Sequence, residues 1–409
     1  MAAMTRRDLV AQGKERIAWV RAHMPVVGAL EERLRPERPF SGLRIAMSIH
    51  LEAKTARLAL ALKALGGDLA VTSSNPLSAK DDVAQALAEE MPVYARGEAT
   101  EEDYHRFLRQ VLAIHPHLVL DDGGDLSLLL HEEERHLGDA VIGVCEETTT
   151  GVVRLRKLAK EGRLRFPAVA VNDAQMKQLF DNRYGTGQSV WDAVMRATNL
   201  LLAGKTVLVV GYGWCGKGIA LRARGLGAEV VVAEVDPVRA AEAVMDGFSV
   251  APLREAIAHA DFVITATGCR DVVTWDDLQD AKDGLFLANA GHFDVEIDVR
   301  ALRERAEGRR VREHVEEFRL PNGKRVYLLA RGRLVNLVAG DGHPVEIMDL
   351  SFALQLLSLR WLVQRGEGLV PQVYPVPAEV DEEVARLFLT SRGARIDELT
   401  PAQREYLGQ

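Results

Sequence analysis

The sequence predicts an α/β protein of two doubly wound parallel-sheet domains, the second inserted into the first. Two observations carry this. Short apolar runs of strand length alternate with helical patterns over most of the 409 residues, the mark of parallel sheets joined by crossover helices. A glycine-rich turn directly follows one such run, Thr206–Val210, after a helical connector from Gly185 to Gly204. A chain of this length is expected to form two cores rather than one.

Taken in order, Met1–Met24 reads as an amphipathic helix and not a signal peptide, because Arg6, Arg7, Asp8, Lys14, Glu15 and Arg16 interrupt its apolar positions. Strands are expected at Leu43–Ile49, Asp68–Thr72, Leu118–Leu120, Ala140–Val144 and Ala168–Val171, with helices such as Lys54–Leu65 and Asp82–Glu90 between them. From Lys205 the alternation is cleaner, and buried parallel strands are expected at Thr206–Val210, Glu229–Ala233, Phe262–Thr265 and Leu285–Asn289. After His343 a long helix is expected over Val345–Arg365, then a passage holding Pro371, Pro375 and Pro377 and a last helical segment. The long helix is expected to pack back on the first unit. The units are therefore drawn as 1–185, 186–343, 344–385 and a C-terminal segment 386–409.

Lys and Arg number 51 against 59 Asp and Glu, a net charge of −8, which argues against a nucleic-acid partner. Apolar residues at 47% and charged residues at 27% exclude a disordered chain. No apolar run reaches the length of about 18 residues that a membrane span needs. Cys145, Cys215 and Cys269 have neither disulfide nor zinc spacing, and no His/Cys/carboxylate set is spaced for a metal, so none is expected. His115 and His117 read as surface residues. The chain reads as cytoplasmic.

The glycine-rich turn is Gly211-Tyr212-Gly213-Trp214-Cys215-Gly216, between a strand and a helix from about Lys217. Gly211 suits the tight turn, Gly213 lets a pyrophosphate approach the backbone, and Gly216 allows close helix–strand packing. The pyrophosphate would sit on the helix N-terminus, where free N–H groups favour an anion. The next strand ends at Glu234, 18 residues past Gly216. A carboxylate there binds both ribose hydroxyls and repels a 2′-phosphate, which favours NAD over NADP and makes the second unit a Rossmann NAD-binding domain. Arg239 reads as a solvated helix residue.

Five runs bear on the chemistry. They are Asp121-Asp122-Gly123-Gly124-Asp125-Leu126; Glu146-Glu147-Thr148-Thr149-Thr150-Gly151-Val152; Val171-Asn172-Asp173 with Phe180-Asp181-Asn182-Arg183-Tyr184-Gly185; Gly291-His292-Phe293-Asp294-Val295-Glu296-Ile297-Asp298; and Gly332-Arg333-Leu334-Val335-Asn336-Leu337 with Gly342-His343-Pro344. In this order, with the glycine turn between them, the chain resembles the S-adenosylhomocysteine hydrolases over nearly its whole length. The resemblance implies hydrolysis of an unactivated thioether by way of tightly held NAD: oxidation of the ribose 3′-hydroxyl, elimination of homocysteine, water addition and re-reduction.

It further implies Lys177 as the base at the 3′-hydroxyl, which requires its pKa to be lowered by burial or a neighbouring cation. Asp181 would bind a ribose hydroxyl, Asn182 would orient Lys177, and Glu147 would hold the diol. Asp122 would take the C4′ proton, His50 and His292 would flank C5′, and His343 would contact the homocysteine part. Thr148, Thr149, Thr150, Thr267 and Asn336 match NAD-binding positions. In His50-Leu51-Glu52-Ala53-Lys54-Thr55, the familiar adenosyl enzymes have Thr at the position of Glu52 and Glu or Gln at that of Lys54. Glu52 accepting from N1–H and Lys54 donating to O6 would suit hypoxanthine. The pattern resembles short members of the family, some of which act on S-inosylhomocysteine, and that substrate is the alternative to the adenosyl compound. A remoter alternative is a non-catalytic NAD-binding relative.

The chain also departs from the family. Thr186 stands where many members have Cys, and Lys80-Asp81 where Gln-Asp is common. After Tyr406-Leu407-Gly408-Gln409 the longer members continue with a basic and aromatic tail that completes a neighbour's NAD site. A homo-oligomer, a tetramer by resemblance, is expected.

Overall fold

The computed structural model describes residues 5–75 and 78–408. Each apolar run becomes a strand buried on both faces, as parallel sheets covered by helices require. The first sheet holds β1 (Arg44–Ser48), β2 (Asp68–Thr72), β3 (Val93–Tyr94), β4 (Leu118–Asp121), β5 (Gly143–Glu146), β6 (Ala168–Ala170) and β15 (Val373–Pro375). Their order is β15-β6-β5-β4-β1-β2-β3, with every pair parallel. The chain winds outward from β1 to β3 and returns to β4 on the other side. The strand order therefore reverses between β1 and β4, and a crevice opens at their C-terminal ends.

The second sheet holds β7 (Thr206–Val210), β8 (Glu229–Ala233), β9 (Ser249–Val250), β10 (Phe262–Thr265), β11 (Leu285–Asn289), β12 (Glu307–Arg312), β13 (Val315–Arg319) and β14 (Arg325–Leu329), in the order β12-β13-β14-β11-β10-β7-β8-β9. Its reversal lies between β7 and β10. The sheet is not wholly parallel, because β13 runs antiparallel to both β12 and β14. The sequence pattern points to none of these three strands. β12 is exposed along its length and charged, with Arg309 paired to Glu317 of β13 at 2.8 Å, so no apolar period marks it. Charge of this kind is how an edge strand avoids pairing with another chain.

The helix Val345–Arg365 packs on helices Pro25–Leu34 and Ala53–Ala64 and on β5, so the chain does return to the first unit after the second sheet. Within the prolines that follow, β15 adds to the edge of the first sheet, a place where a strand tolerates Pro.

Other boundaries shift. The amphipathic N-terminal helix spans Arg6–Ala22, and residues 1–4 lie outside the described residues. β5 begins and ends later than Ala140–Val144, running to Glu146, whose Oε1 accepts from the turns beside it. The connector helix stops at Thr198, where Asn199 takes a left-handed conformation (φ 55°), and does not reach Gly204. Before it, Gln178–Gly185 forms a π-helix, a wide turn frequent at functional sites. His117 is half-buried rather than on the surface, accepting from Arg44 N at 3.0 Å, whereas His115 is exposed.

Candidate active site

The first crevice collects residues from three loops. His50 follows β1, Asp122 follows β4, and His292 follows β11 of the other unit. Asp122 is buried between the two imidazoles, 3.7 Å from His50 Nε2 and 3.8 Å from His292 Nδ1, and accepts from Ser74 Oγ at 2.9 Å. Burial pushes its carboxyl up, but the two histidines and Ser74 outweigh burial and hold it below the ordinary value. Burial, followed by the neighbouring His292 and His343, pushes His50 down to about 4 against the pull of Asp122, so it is neutral near pH 7. Its Nδ1 shares a hydrogen bond with Ser78 Oγ at 2.6 Å. The His292 turn is fixed by the buried Asn289, whose Nδ2 donates to Gly291 O (3.2 Å) and Phe293 O (2.9 Å).

The second cluster lies where the first unit passes into the connector. Lys177 is buried, with Nζ 2.8 Å from Asn182 Oδ1 and 3.6 Å from both Glu147 Oε1 and Asp181 Oδ2. Here the structure corrects the sequence reading. Burial does pull the Lys177 pKa down, but Asp181 and Glu147 more than offset it, and the net shift is upward. Free Lys177 is a protonated ammonium. Glu147 is pushed up to about 8 by burial, in spite of Lys177, and its Oε2 accepts from Gln355 Nε2 at 2.5 Å. Asp181 is held well below the carboxylate range: burial opposes this, but Lys177, His343 and Ser351 outweigh it. It bonds His343 Nδ1 on one oxygen and Ser351 Oγ (2.6 Å) on the other.

At the second crevice Gly211 has φ +96°, and a Cβ on Gly216 would lie 1.8 Å from Gly211 O, so the turn is closed by backbone contact. A Cβ on Gly213 would meet nothing nearer than Arg239 Nη1 at 3.8 Å, leaving open space above the first turn of the helix Trp214–Gly225, which has no side-chain cap. Glu234 accepts from the backbone N–H of Tyr212 (2.7 Å), Val235 (2.7 Å) and Asp236 (3.0 Å), so the side chain is fixed at the strand end. Thr267 is bound through N and Oγ1 to Glu296, at 3.0 and 2.7 Å. Asn336 donates to Ser189 Oγ, but its buried Oδ1 has no partner among the described residues. Thr148 caps the helix Thr149–Lys160, Thr149 Oγ1 accepts from Asn172, and Thr150 is half-buried.

Glu52 caps the helix Ala53–Ala64 and pairs with the buried Lys54 at 3.0 Å. Lys54 Nζ also donates to Asp341 O at 2.8 Å, reaching across to the loop that carries His343. Thr55 Oγ1 donates to His50 O at 2.6 Å. Thr186 bridges His343 Nε2 (3.2 Å) and Cys215 Sγ (3.6 Å).

Residues 4–142 match the family model described as S-adenosyl-L-homocysteine hydrolase, and residues 182–342 match its NAD-binding domain. The chain is 56% identical to the S-inosyl-L-homocysteine hydrolase of Methanopyrus kandleri, covering 98% of this chain and 95% of that one. It is 56% identical to the adenosylhomocysteinase of Thermotoga maritima, covering 97% and 98%. The chain belongs to the S-adenosyl-L-homocysteine hydrolase family. Among solved structures, a dipicolinate synthase chain from Bacillus halodurans aligns with a TM-score of 0.50 at 14% identity over 80% of this chain and 99% of that one, a likeness of fold alone.

The second crevice fits the NAD that its family model implies. The uncapped helix end, the open face at Gly213 and the unpartnered Asn336 Oδ1 are the donors, space and acceptor a dinucleotide needs. His50, Asp122 and His292 present ligand atoms within 4.8 Å of one another, a grouping that spacing along the chain cannot reveal because three loops contribute. Sequence reasoning also missed Ser74, Ser78, Ser351 and Gln355. A signal existed for the last two: Ser351, Gln355 and Ser358 recur in the otherwise apolar middle of the helix Val345–Arg365, between Leu350 and Leu359, and all three are fully buried.

Proposed function

We propose that this chain catalyses the reversible hydrolysis of S-adenosyl-L-homocysteine to adenosine and L-homocysteine. The observation that carries the reading is the meeting of two acid–base clusters: His50, Asp122 and His292 at one crevice, and Lys177 with its carboxylates on the path to the other. A dehydrogenase acting on a free substrate has no use for the first cluster.

Bound NAD supplies the reversible oxidation of the ribose 3′-hydroxyl to a ketone. Asp181 and Glu147 hold the diol, and Asn182 aims Lys177 at the 3′-hydroxyl. To act as the base, the Lys177 ammonium first gives its proton to solvent, because Glu147, 3.6 Å away and with its carboxyl pushed up to about 8, already holds a proton near pH 7. The ketone acidifies C4′–H, and Asp122, ionised between the imidazoles, removes that proton. His50 and His292 then protonate the departing thiolate and deprotonate the water that adds. His343 contacts the homocysteine part. The same reading makes the protein a cytoplasmic homotetramer divided as 1–185 with 344–385 for substrate and 186–343 for NAD. Incubation with S-adenosylhomocysteine and a thiol reagent, without added NAD, tests it: thiol release with no net NADH is expected, whereas NADH accumulation or no thiol overturns it.

The likeness to the S-inosyl-L-homocysteine hydrolase of Methanopyrus kandleri favours a second reading, the same chemistry on S-inosyl-L-homocysteine, although Lys54 here pairs with Glu52 at 3.0 Å and donates to Asp341 O at 2.8 Å. A buried lysine beside a carboxylate has a donor for O6 and an acceptor for N1–H, the inverse of what adenine requires. A mismatched buried polar edge costs on the order of 10⁴-fold in specificity. On this second reading the inosyl substrate has the higher kcat/KM, and Lys54→Glu shifts preference towards adenine. A strong adenosyl preference unchanged in the variant rejects it.

A further inference from the structure

Asp121 and Glu146 close β4 and β5 as registered partners, and Ser48 of β1 is in register with Asp121. Registered residues share a sheet face, and their successors Asp122 and Glu147 turn the other way. Ser48, Asp121 and Glu146 are fully buried. Among the described residues no Lys, Arg or His lies within ion-pair distance of either carboxylate; Arg154 pairs with Asp125 instead. Asp121 accepts from Ser127 N (2.8 Å) and Asp122 N (3.1 Å). Glu146 Oε1 accepts from Gly123 N (2.9 Å), Thr148 N (2.9 Å) and Thr148 Oγ1 (2.7 Å). Glu146 Oε2 and Ser48 Oγ are buried without partners among the described residues.

Two unpaired negative charges side by side in a dry interior are unfavourable, and a proton held by the pair removes one of them. Burial pushes Asp121 up to about 7, and burial together with the charge of Asp121 pushes Glu146 up. The charged or titratable groups around the pair are Asp122, Asp125, the Cys145 thiol, Arg154 bonded to Asp125, and the Tyr104 hydroxyl, also bonded to Asp125. None of these supplies a free cation.

We propose that Asp121 and Glu146 share one proton at neutral pH and together position the site, Glu146 tying the Asp122–Gly123 turn to Thr148 so that one carboxyl sets the C4′ acceptor and the cofactor-side threonine. The activity arm of the test rests on the function proposed above; the spectroscopic arm does not. The wild-type-minus-E146Q infrared difference spectrum of the holoenzyme at pH 7 shows loss of a protonated-carboxyl band, and D121N shows the same. In activity, E146A lowers kcat by about 100-fold with KM within about threefold, because the turn is released. E146Q, which still accepts those N–H bonds and carries the neutral charge, rescues kcat to within about tenfold of wild type. An unchanged carboxyl band in E146Q and D121N overturns the shared proton. E146A at the wild-type rate, or E146Q as slow as E146A, overturns the positioning role. If E146A does not fold, the band and the E146Q rate decide.

Discussion

Replacing Lys177 by Met removes the ammonium and keeps most of the side-chain volume. In the structure that ammonium lies 3.6 Å from both Glu147 and Asp181. At an effective dielectric of about 20, the contact with ionised Asp181 is worth roughly 4–5 kcal/mol before desolvation, and that with Glu147, half-protonated at pH 8, about half as much. Breaking a buried pair costs about 3–5 kcal/mol net, against a typical total stability of about 5–15 kcal/mol. The variant should therefore lose about 3–5 kcal/mol in urea unfolding at pH 8. The sign of the pH dependence follows from Glu147, whose pKa is raised from 4.5 to about 8 in the folded protein. Between those values the folded state keeps a proton that the unfolded state has released, so stability falls as pH rises and levels off above about 8. Without Lys177 the folded pKa of Glu147 rises further, and the fall continues past that point. The raised pKa of Lys177 itself favours folding fully below 10.5 and acts above this window. Urea titrations of wild type and Lys177→Met from pH 6 to 9 measure both effects. A loss under about 1 kcal/mol at pH 8, or a pH slope identical to wild type, refutes the ionic cluster as drawn.

Three further outcomes are expected. Asp122→Asn still reduces its bound NAD with substrate but stalls before elimination, which C4′ exchange in deuterated water reports; exchange at the wild-type rate removes Asp122 from that role. Ser78→Ala frees the His50 ring and lowers kcat by about tenfold with KM little changed, and an unaltered kcat assigns the imidazole's orientation elsewhere. Gly216→Ala forces a Cβ to 1.8 Å from Gly211 O, so NAD retention through gel filtration is lost and the melting temperature drops; full retention contradicts the closed turn.

The strands of the second unit are legible along the chain because parallel strands buried on both faces are nearly continuous apolar runs: β7, β8, β10 and β11 match their expected bounds. β12 is illegible for the opposite reason, since an edge strand is selected for charge. Of the residues named for the site, His50 and Asp122 meet at a crevice because they follow the two strands between which the order of the first sheet reverses. Their supports are harder to read. Ser78 and Gln355 are ordinary polar residues along the chain, and their roles depend on partners 28 and 208 positions away.

The sequence by itself determined the family, the α/β class and the glycine turn, and it named the acid–base residues proposed here, because these readings depend on local period, spacing and residue type. Tertiary structure alone decided their charge states. The role of Lys177 as a base calls for a lowered pKa, and two carboxylates from different segments raise it instead. Asp122 stays ionised because histidines from two units flank it, while Asp121, its neighbour in the chain, is pushed up to about 7 on the buried face beside Glu146. Protonation is set by desolvation and by charges a few ångströms away in space, and neither distance is written along the chain.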